Sequence, residues 1–316
     1  MSFKLIMEQL NTKDVKQLEK YILKLNEAYF NKEPLVSDIE YDKICDKLRS
    51  MSPESSVLKN IGHLPEKGIH TVELPISMPS LDKVKPDTKA LTKFIKETMD
   101  NNLSITISEK LDGISLLLEK TSSGWVCMSR GNGVKGQDVS SNLVNHITLP
   151  DNSFPYKFIR GEVILPQSSR EKLNTDKNLR TIANGIINCK KPKKEILKYI
   201  RFVGYSIPHS DLTPLEQFQL LSEYKVITPK YMEIKIENSS QEVFQKTLIE
   251  WKNNSKYDID GIVLGRNVVE INTKNKNPKQ TVAFKMPLDE QKAVSEVVNI
   301  IWNESKDKYL KPIVEI

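Results

Sequence analysis

Five short strings between Lys110 and Lys285 contain the residues of this chain best suited to chemistry. They are, in chain order, Lys110-Leu111-Asp112-Gly113, Ser129-Arg130-Gly131-Asn132-Gly133, Arg160-Gly161-Glu162-Val163, Asp260-Gly261-Ile262-Val263 and Ala283-Phe284-Lys285. Each has a charged residue in or beside an apolar run typical of a strand. Together they offer a lysine nucleophile, further cations for a phosphate, and carboxylates for ribose hydroxyls or a metal ion. These are the groups needed to transfer a nucleotide to a lysine.

Lys110 is the candidate nucleophile. A free lysine has a pKa of about 10.4, so its amine is mostly protonated at neutral pH. Neighbouring cations make such an amine easier to deprotonate, and Lys285 and Arg130 are candidates for that role. A neutral amine can attack the α-phosphorus of a nucleotide and form a phosphoramidate. The same cations would stabilise charge on the phosphoryl oxygens in the transition state.

The carboxylates Asp112, Glu162 and Asp260 are predicted to accept hydrogen bonds from ribose hydroxyls or to hold a metal ion. Gly113 would let the backbone lie close to a ligand. No single string is specific, because Lys-x-Asp-Gly occurs in surface turns and Arg-Gly-Asn-Gly is a common hairpin turn. The order and spacing of all five strings favour catalysis.

Composition predicts a water-soluble globular protein with room for two domains, since 38% of the 316 residues are hydrophobic and 28% are charged. No apolar run is long enough to span a bilayer, and the first residues do not resemble a secretory signal. The net charge of +6 fits a polyanionic partner. Three scattered cysteines indicate a reducing, cytoplasmic location. Neither they nor the four histidines are spaced as metal ligands, so no Cys or His metal site is predicted.

Periodicity predicts an α+β fold with antiparallel sheets. Residues 1–68 are expected to form a small helical domain, with one helix over 12–30 and a second that Ser37 caps and that ends near Met51. Residues 69–290 form the main domain, with a helix that begins at Lys85-Pro86-Asp87. Two further helices are predicted over 213–225 and 240–253. The predicted strands cover 105–107, 115–119, 125–129, 158–165, 201–207, 257–264 and 281–286. Residues 291–316 alternate like a strand pair that opens a further domain.

The motifs resemble those of the NAD-dependent DNA ligases, members of the covalent nucleotidyltransferase superfamily. Glu109-Lys110-Leu111-Asp112-Gly113-Ile114-Ser115 is similar to their adenylated-lysine motif. Ser129 to Val139 resembles their Thr-Arg-Gly-Asp-Gly-x-x-Gly-Glu-Asp-Val string, and Ile76 to Asp82 resembles Pro-Met-Leu-Ser-Leu-Asp. Pro34 to Asp42 resembles the Pro-x-x-Ser-Asp-x-x-Tyr-Asp string of the family's N-terminal domain, which binds the nicotinamide mononucleotide (NMN) half of NAD.

The resemblance implies a role for each matching residue. Lys110 would be the nucleophile, Asp112 and Asp260 essential carboxylates, and Lys285 a contact to the AMP phosphate. Arg130 would bind the ribose or phosphate side, Glu162 would bind the ribose, and Arg180 would contact DNA phosphate or the nicked end. The remaining nucleotide contacts implied for the main domain are Ser80, Leu81, Glu109, Leu111 and Gly113. The NMN contacts implied for the helical domain are Tyr29, Asp38, Tyr41 and Asp42.

Two departures from the family pattern are informative. Gly265 stands where the family has a lysine, and Arg266 follows it. A strand places neighbouring residues on opposite faces, so Arg266 is not expected to replace that lysine directly. Ser108 stands where the family has a glutamate, beside Glu109, so the contact to adenine is open at that point.

The predicted function is the adenylation portion of a NAD-dependent DNA ligase that uses NAD and Mg²⁺. The fold implied is an NMN-binding helical domain followed by an ATP-grasp-like nucleotidyltransferase domain of the DNA ligase and mRNA-capping type, with 291–316 as the opening strands of a truncated OB-fold. The implied partner is nicked duplex DNA, bound weakly by a monomer with no membrane partner. The alternatives are an ATP-dependent ligase or capping-type nucleotidyltransferase, and a non-catalytic nucleic-acid-binding module.

Overall fold

The computed structural model describes residues 15–31, 36, 38–59, 71–189, 192–270, 276–286, 296–304 and 310–315. The chain divides into two compact units. One comprises Met1–Asn60 with Pro287–Ile316, and the other comprises Ile61–Met286. None of the helices in the described ranges has the length and apolar character needed to cross a bilayer.

The smaller unit contains helices α1 (Val15–Asn31), α2 (Asp38–Met51) and α3 (Ser56–Lys59), and the hairpin strands β12 (Asn299–Glu304) and β13 (Leu310–Glu315). The two predicted helices are confirmed, although the predicted cap Ser37 lies outside the described residues. Apolar residues three or four positions apart put one stripe of each helix into a shared core. Buried members of that core are Leu18, Ile22, Leu25, Ile44 and Leu48.

The larger unit combines helices with strands. Its helices are α4 (Lys89–Asp100), α5 (Ser140–Leu143), α6 (Ser169–Leu173), α7 (Leu179–Asn188), α8 (Lys194–Leu197), α9 (Pro214–Glu223) and α10 (Gln241–Asn254). Its strands are β1 (Thr71–Glu73), β2 (Asp82–Val84), β3 (Ile105–Leu111), β4 (Ile114–Thr121), β5 (Gly124–Ser129), β6 (Lys135–Gln137), β7 (Phe158–Ile164), β8 (Arg201–Ser206), β9 (Tyr231–Ile234), β10 (Ile259–Arg266) and β11 (Thr281–Phe284).

Most strand pairs in this unit are antiparallel. One sheet has the order β2-β11-β10-β3-β9, in which only β2 and β11 run parallel. A second sheet has the order β5-β4-β7-β8, and β1 pairs with β6. The prediction of an α+β fold with antiparallel sheets is therefore confirmed.

The two faces of the five-stranded sheet differ in chemistry. One face packs against α4 and α10 through Ile107, Phe244, Ile262 and Phe284, all of which are fully buried. Because side chains alternate along a strand, the residues between these point to the other face. Ser108 and Lys110 of β3 lie on that second face, which is where a site can form.

The start of α4 differs from the sequence expectation. Lys85-Pro86-Asp87 was expected to begin the helix, but α4 begins at Lys89. Thr88 is the N-cap, and its side-chain hydroxyl accepts a hydrogen bond from the backbone N–H of Leu91 at 3.4 Å. Asp87 has φ +57°, which is outside the right-handed helical region, so the expectation was wrong by one turn.

Candidate active site

Lys110 and Lys285 meet at one carboxylate. Lys110 is near the end of β3, where it pairs with Gly261 of β10, and Lys285 directly follows β11. The Nζ of Lys110 donates to Oδ1 of Asp260 at 2.8 Å, and the Nζ of Lys285 donates to Oδ2 at 2.6 Å. A β-bulge between Ile259 and Gly261 breaks the ladder at Asp260. Three of the residues assigned to catalysis from the sequence are thus in direct contact.

The charge of Asp260 is set by its two partners. Burial alone would raise the pKa of this carboxyl, but the ammonium groups of Lys110 and Lys285 outweigh burial and hold the pKa well below its ordinary value. Asp260 is therefore a carboxylate at neutral pH. It holds two positive groups side by side, as binding of a phosphate requires.

Glu162 forms the second part of the site. It lies opposite Ser115 in the β4–β7 ladder, and the Ser115 hydroxyl donates to Oε2 of Glu162 at 3.2 Å. Burial raises the pKa of Glu162 to about 7, although the positive charges of Arg180 and Lys110 oppose this shift. Burial also raises the pKa of the nearby Tyr205 phenol. Glu162 can therefore donate or accept a hydrogen bond near neutral pH.

Gly113 allows the turn between β3 and β4 to lie against β7. A Cβ at this position would be 2.5 Å from the backbone oxygen of Val163 and 2.7 Å from Cγ of Glu162. Any side chain would therefore push Lys110 away from Glu162. The close contact that requires glycine at position 113 is therefore between the β3–β4 turn and strand β7.

Arg130 ties a second segment to the site. Its Nε donates to the backbone oxygen of Met78 at 2.9 Å, and its guanidinium donates to the Ser80 hydroxyl at 2.7 Å. Gly131 follows with φ +52°, where an added Cβ would meet the Lys135 backbone oxygen at 1.9 Å. The structure thus brings together Arg130 and Ser80, with the half-buried Leu81 beside Ser80.

Asp112 is paired with Arg180. The guanidinium of Arg180, in the first turn of α7, donates to Oδ1 of Asp112 at 2.9 Å. The backbone N–H of Asp112 donates to the Asp258 backbone oxygen at 2.8 Å, which fixes the end of β3 against the start of β10. Arg180 therefore lies close to the nucleophile strand, as a contact for a nucleic-acid end would need to.

Glu109 and Leu111 lie on the opposite face of β3 from Lys110. The Glu109 carboxylate accepts a hydrogen bond from the backbone N–H of Lys230 at 2.9 Å, and Leu111 is buried in the core. Their roles as nucleotide contacts stay predictions. The side chains that neighbour Lys110 along its own face are those of Ser108 and, across the ladder, Val263.

Arg266 is part of the core, as strand alternation predicts. Its Nε donates to the Thr98 hydroxyl at 2.9 Å, and its terminal nitrogens donate to Phe94 and Gln280 at 3.0 Å and to Glu97 at 2.9 Å. The guanidinium also lies 4.3 Å from the centre of the Phe94 ring. Arg266 does not reach the site face.

The predicted NMN contacts are only partly described. The side chains of Tyr29, Asp38 and Asp42 lie outside the described residues. Tyr41 is half-buried against the helical core, and its hydroxyl donates to Oδ1 of Asn26 at 2.6 Å. This bond links α2 to α1 and orients the ring, and the role of Tyr41 with NMN stays a prediction.

Sequence reasoning missed two residues that contact the site. Ser115 was quoted only as the end of a motif, and Tyr205 was not singled out. Both depend on cross-strand pairing, which connects positions 47 and more residues apart and leaves no local signal. The one available cue was alternation, because Ser115 lies between the apolar residues Ile114 and Leu116 of β4.

The described side chains do not build a cage for Mg²⁺. Within the described ranges, no three His, Cys, Asp or Glu side chains come together as metal ligands. Asp260 and Asp112 are also already paired with cations. The donor set therefore does not fit a resident metal ion.

Comparison with known proteins gives one family. Residues 66–289 match the family model of the NAD-dependent DNA ligase adenylation domain. A protein named DNA ligase from Acanthamoeba polyphaga mimivirus is 31% identical, over 98% of this chain and 48% of its own length. The DNA ligase of Treponema denticola is 28% identical, over 94% of this chain and 49% of its own length. The DNA ligase of Acinetobacter baumannii is 26% identical, over 100% of this chain and 51% of its own length. The chain spans about half the length of these curated relatives. A solved archaeal ATP-dependent RNA ligase matches with a TM-score of 0.43 and 13% identity, over 76% of this chain and 60% of that one.

Proposed function

The chain belongs to the family of NAD-dependent DNA ligase adenylation domains, as its motifs predict, and we propose that it transfers AMP from NAD to its own Lys110. The observation that carries this proposal is the contact of Lys110 and Lys285 with the two oxygens of Asp260, at 2.8 and 2.6 Å, beside the buried Glu162. The proposed nucleophile, phosphate-binding cation and ribose acceptor therefore lie close enough together to act on one nucleotide.

In the proposed reaction, the amine of Lys110 loses its proton and its lone pair attacks the α-phosphorus of NAD. The bond from that phosphorus to the bridging oxygen breaks, and NMN leaves with the bonding electrons. The product is a phosphoramidate that joins AMP to Lys110. Asp260 orients the amine, and the proton that Lys110 loses goes to solvent, because the low pKa of Asp260 makes this carboxylate a poor proton acceptor.

Other residues of the site would stabilise the bound nucleotide. Lys285 offers positive charge to the α-phosphate, and Glu162 offers a hydrogen-bonding group to the ribose. Arg130, which follows β5, and Ser80, in the segment that precedes β2, would contact the same nucleotide. Mg²⁺ is proposed to bind together with NAD, through the phosphates of that nucleotide. Proteins commonly bind Mg²⁺ in this way when they do not supply a full set of ligands.

The family also suggests what precedes and follows this step. We assign NMN binding to residues 1–68, through Tyr29, Asp38, Tyr41 and Asp42, adenylation to residues 69–290, and the start of an OB-fold to residues 291–316. AMP would then pass to the 5′-phosphate of a nick in duplex DNA, and the 3′-hydroxyl would displace it.

Mass spectrometry tests the proposal. The chain is incubated with Mg²⁺ and either NAD or ATP, and the site of any AMP adduct is mapped. We expect an adduct on Lys110 with NAD only, none in Lys110→Ala, and an undiminished adduct in Lys89→Ala, which changes an exposed lysine of α4. An adduct from ATP alone would support an ATP-dependent nucleotidyltransferase. No adduct from either nucleotide would support a non-catalytic binding module.

A further inference from the structure

Ser108 is a buried polar side chain on the site face of the five-stranded sheet. It lies two residues before Lys110 on β3, so the two side chains point to the same face, roughly 7 Å apart along the strand. Ser108 is only 5% exposed, and no hydrogen bond within the described residues uses its hydroxyl. Buried hydroxyls are normally hydrogen-bonded, because an unpaired one loses water and gains nothing in return. Ser108 therefore indicates a ligand that supplies the missing bond.

The Ser108 oxygen can be reached from the site. In the described ranges, the fully enclosed side-chain nitrogen and oxygen atoms without a partner belong to Asn26, Gln137, Arg160 and Ser210. The Ser108 oxygen is not one of them, so a ligand on the site face can contact it. The next side chain along this face, Thr106, already donates to Oδ1 of Asn267 at 2.6 Å.

Uncharged groups surround Ser108 on the site face. Its cross-strand neighbours are Val263 of β10 and Tyr231 of β9, both half-buried. Beyond Val263 on the same face, Gly265 has no side chain, and a Cβ there would lie 3.2 Å from Cγ of Pro214. The space next to Ser108 is thus bounded by apolar atoms and one phenol ring.

The nearby carboxylates are directed elsewhere. Glu109 lies on the opposite face of β3 and accepts a backbone hydrogen bond there. Glu233, two residues after Tyr231 on β9, accepts from the Ser104 hydroxyl at 2.5 Å and from the Asn267 amide at 3.0 Å. A ligand group at Ser108 would therefore meet a hydroxyl that can donate or accept, and no fixed charge.

The base is the part of a nucleotide that can reach Ser108. This step rests on the proposed function, in which Lys110 and Lys285 contact the α-phosphate and Glu162 contacts the ribose. The base lies beyond the ribose from the α-phosphate, so it extends to the next side chain along the face of β3. Base edges carry the N–H donors and the nitrogen or oxygen acceptors that a hydroxyl can pair with.

We propose that Ser108 contacts the base edge and makes the site accept a 6-oxopurine as readily as adenine. The hydroxyl can accept a hydrogen bond from the 6-amino group of adenine, and it can donate one to the 6-oxygen of hypoxanthine. A carboxylate at this position would only accept, so it would favour the amino group and repel the oxygen. Ser108 is thus a specificity-determining residue, and its effect is to relax the choice of base.

The reaction with the second substrate balances in the same way. With nicotinamide hypoxanthine dinucleotide, the amine of Lys110 forms a bond to the α-phosphorus and loses its proton to solvent. The bond from phosphorus to the bridging oxygen breaks, and NMN leaves with the bonding electrons. The product is IMP joined to Lys110 as a phosphoramidate.

Initial rates of adduct formation with NAD and with nicotinamide hypoxanthine dinucleotide, at equal subsaturating concentrations, test this inference. In the wild type, we expect the two rates to agree within about fivefold, and Ser108→Ala should lower both by about fivefold because it removes the shared hydrogen bond. Ser108→Glu should raise the preference for NAD at least about tenfold. The matched control is Ser104→Ala, whose hydroxyl is paired with Glu233, and both of its rates should stay within about twofold of the wild type.

Two results would overturn the role of Ser108. One is a wild type that prefers NAD by more than about fivefold, and the other is a Ser108→Ala variant that reacts with both dinucleotides at the wild-type rates. The second result decides the matter even when Ser108→Glu does not fold.

Binding of AMP and IMP, measured by isothermal titration calorimetry, separates this inference from the proposed function, since neither mononucleotide can be transferred. Similar affinities in the wild type, both weakened in Ser108→Ala, in a protein that forms no adduct with NAD, would overturn the proposed function and leave the base contact supported. An AMP adduct from NAD, with no effect of Ser108→Ala on either nucleotide, would overturn the base contact and leave the proposed function supported.

Discussion

Two charged clusters on strand β10 resemble each other in composition and differ in what surrounds them. At one end, Asp260 binds the ammonium groups of Lys110 and Lys285 on the site face. At the other end, Arg266 binds Glu97 on the core face. The Lys110 side chain is 26% exposed and the Arg266 side chain is 7% exposed.

The two clusters differ in how many of their hydrogen-bond donors are used within the protein. Arg266 donates to four different residues and stacks on Phe94, so its donors are used within the fold. Lys110 uses one of its three ammonium donors on Asp260. A phosphate can therefore be added to the Asp260 cluster but not to the Arg266 cluster. The difference shows which charge is structural and which is available for chemistry.

The largest expected effect comes from removing the shared carboxylate. In Asp260→Asn, the two ammonium groups lose their counter-charge and the orientation of Lys110 is relaxed. We expect adenylation with NAD to slow by roughly 10² to 10³-fold, measured as the initial rate of AMP adduct formation. The matched control is Asp258→Asn, which disturbs the neighbouring pair with Arg170. Equal losses in both variants would mean that the lysine pair has no special role.

Arg266→Met should lower the free energy of unfolding and leave the rate of AMP adduct formation unchanged. It removes the buried donors that Thr98, the Phe94 carbonyl and Glu97 accept from, so the free energy of unfolding should fall by about 2 to 4 kcal/mol in a denaturant titration. The adduct rate per folded molecule should be unchanged. Lys93→Met breaks an exposed pair with the same Glu97, at 3.7 Å, and should cost less than about 0.5 kcal/mol. A lower adduct rate in Arg266→Met would contradict the division between the two faces.

Glu162 predicts a dependence of stability on pH. Burial raises its pKa from 4.5 to about 7, so the folded protein binds this proton more tightly than the unfolded chain does. The contribution is present below pH 4.5 and is lost as pH rises through 7, by up to about 3 kcal/mol relative to Glu162→Gln. Unfolding measured in both proteins across this range checks the sign.

Glu216→Gln provides a comparison of opposite sign. Hydrogen bonds from the backbone and hydroxyl of Thr213 lower the pKa of Glu216, so its contribution is lost as pH falls. If the difference between wild type and Glu162→Gln stayed flat with pH, Glu162 would not be a buried ionisable group.

The smallest effect is expected from Gly265→Lys, which restores the lysine of the family pattern. A Cβ at this position would lie 3.2 Å from Cγ of Pro214, so the start of α9 must shift slightly. We expect a loss of about 1 kcal/mol, shared by Gly265→Ala, and a change of less than about threefold in the adduct rate. A gain above tenfold with lysine alone would show that this position still reaches the nucleotide.

Long periodic elements and local motifs could be predicted from the sequence. The two N-terminal helices, the hairpin of β4 and β5, and the strand that bears Lys110 match their expected positions within a few residues. Alternation was also sufficient to place Arg266 on the opposite face from Gly265, because that inference needs only the period of a strand.

What the sequence did not reveal depends on contacts between distant segments. The parallel pairing of β2 with β11 was not predicted, because the three-residue β2 is too short to leave a pattern and its partner, predicted as the strand over 281–286, is distant in the chain. The opposition of Ser115 and Glu162 follows from the register of β4 and β7. Helix α7 was missed although Ile182 and Ile186 have helical spacing, because the polar residues around them obscured the apolar stripe.

The bulge beside Asp260 sets the parity of strand β10. The positions of Asp260 and Arg266 differ by an even number, so an unbroken strand would place both side chains on the same face, toward the core. One extra residue shifts the phase, and a single strand then supplies an anion to one layer and a cation to another. Deletion of Asp260, the one residue between Ile259 and Gly261, would therefore do more than shorten a strand, because it would close the ladder and leave Lys110 and Lys285 without their shared carboxylate.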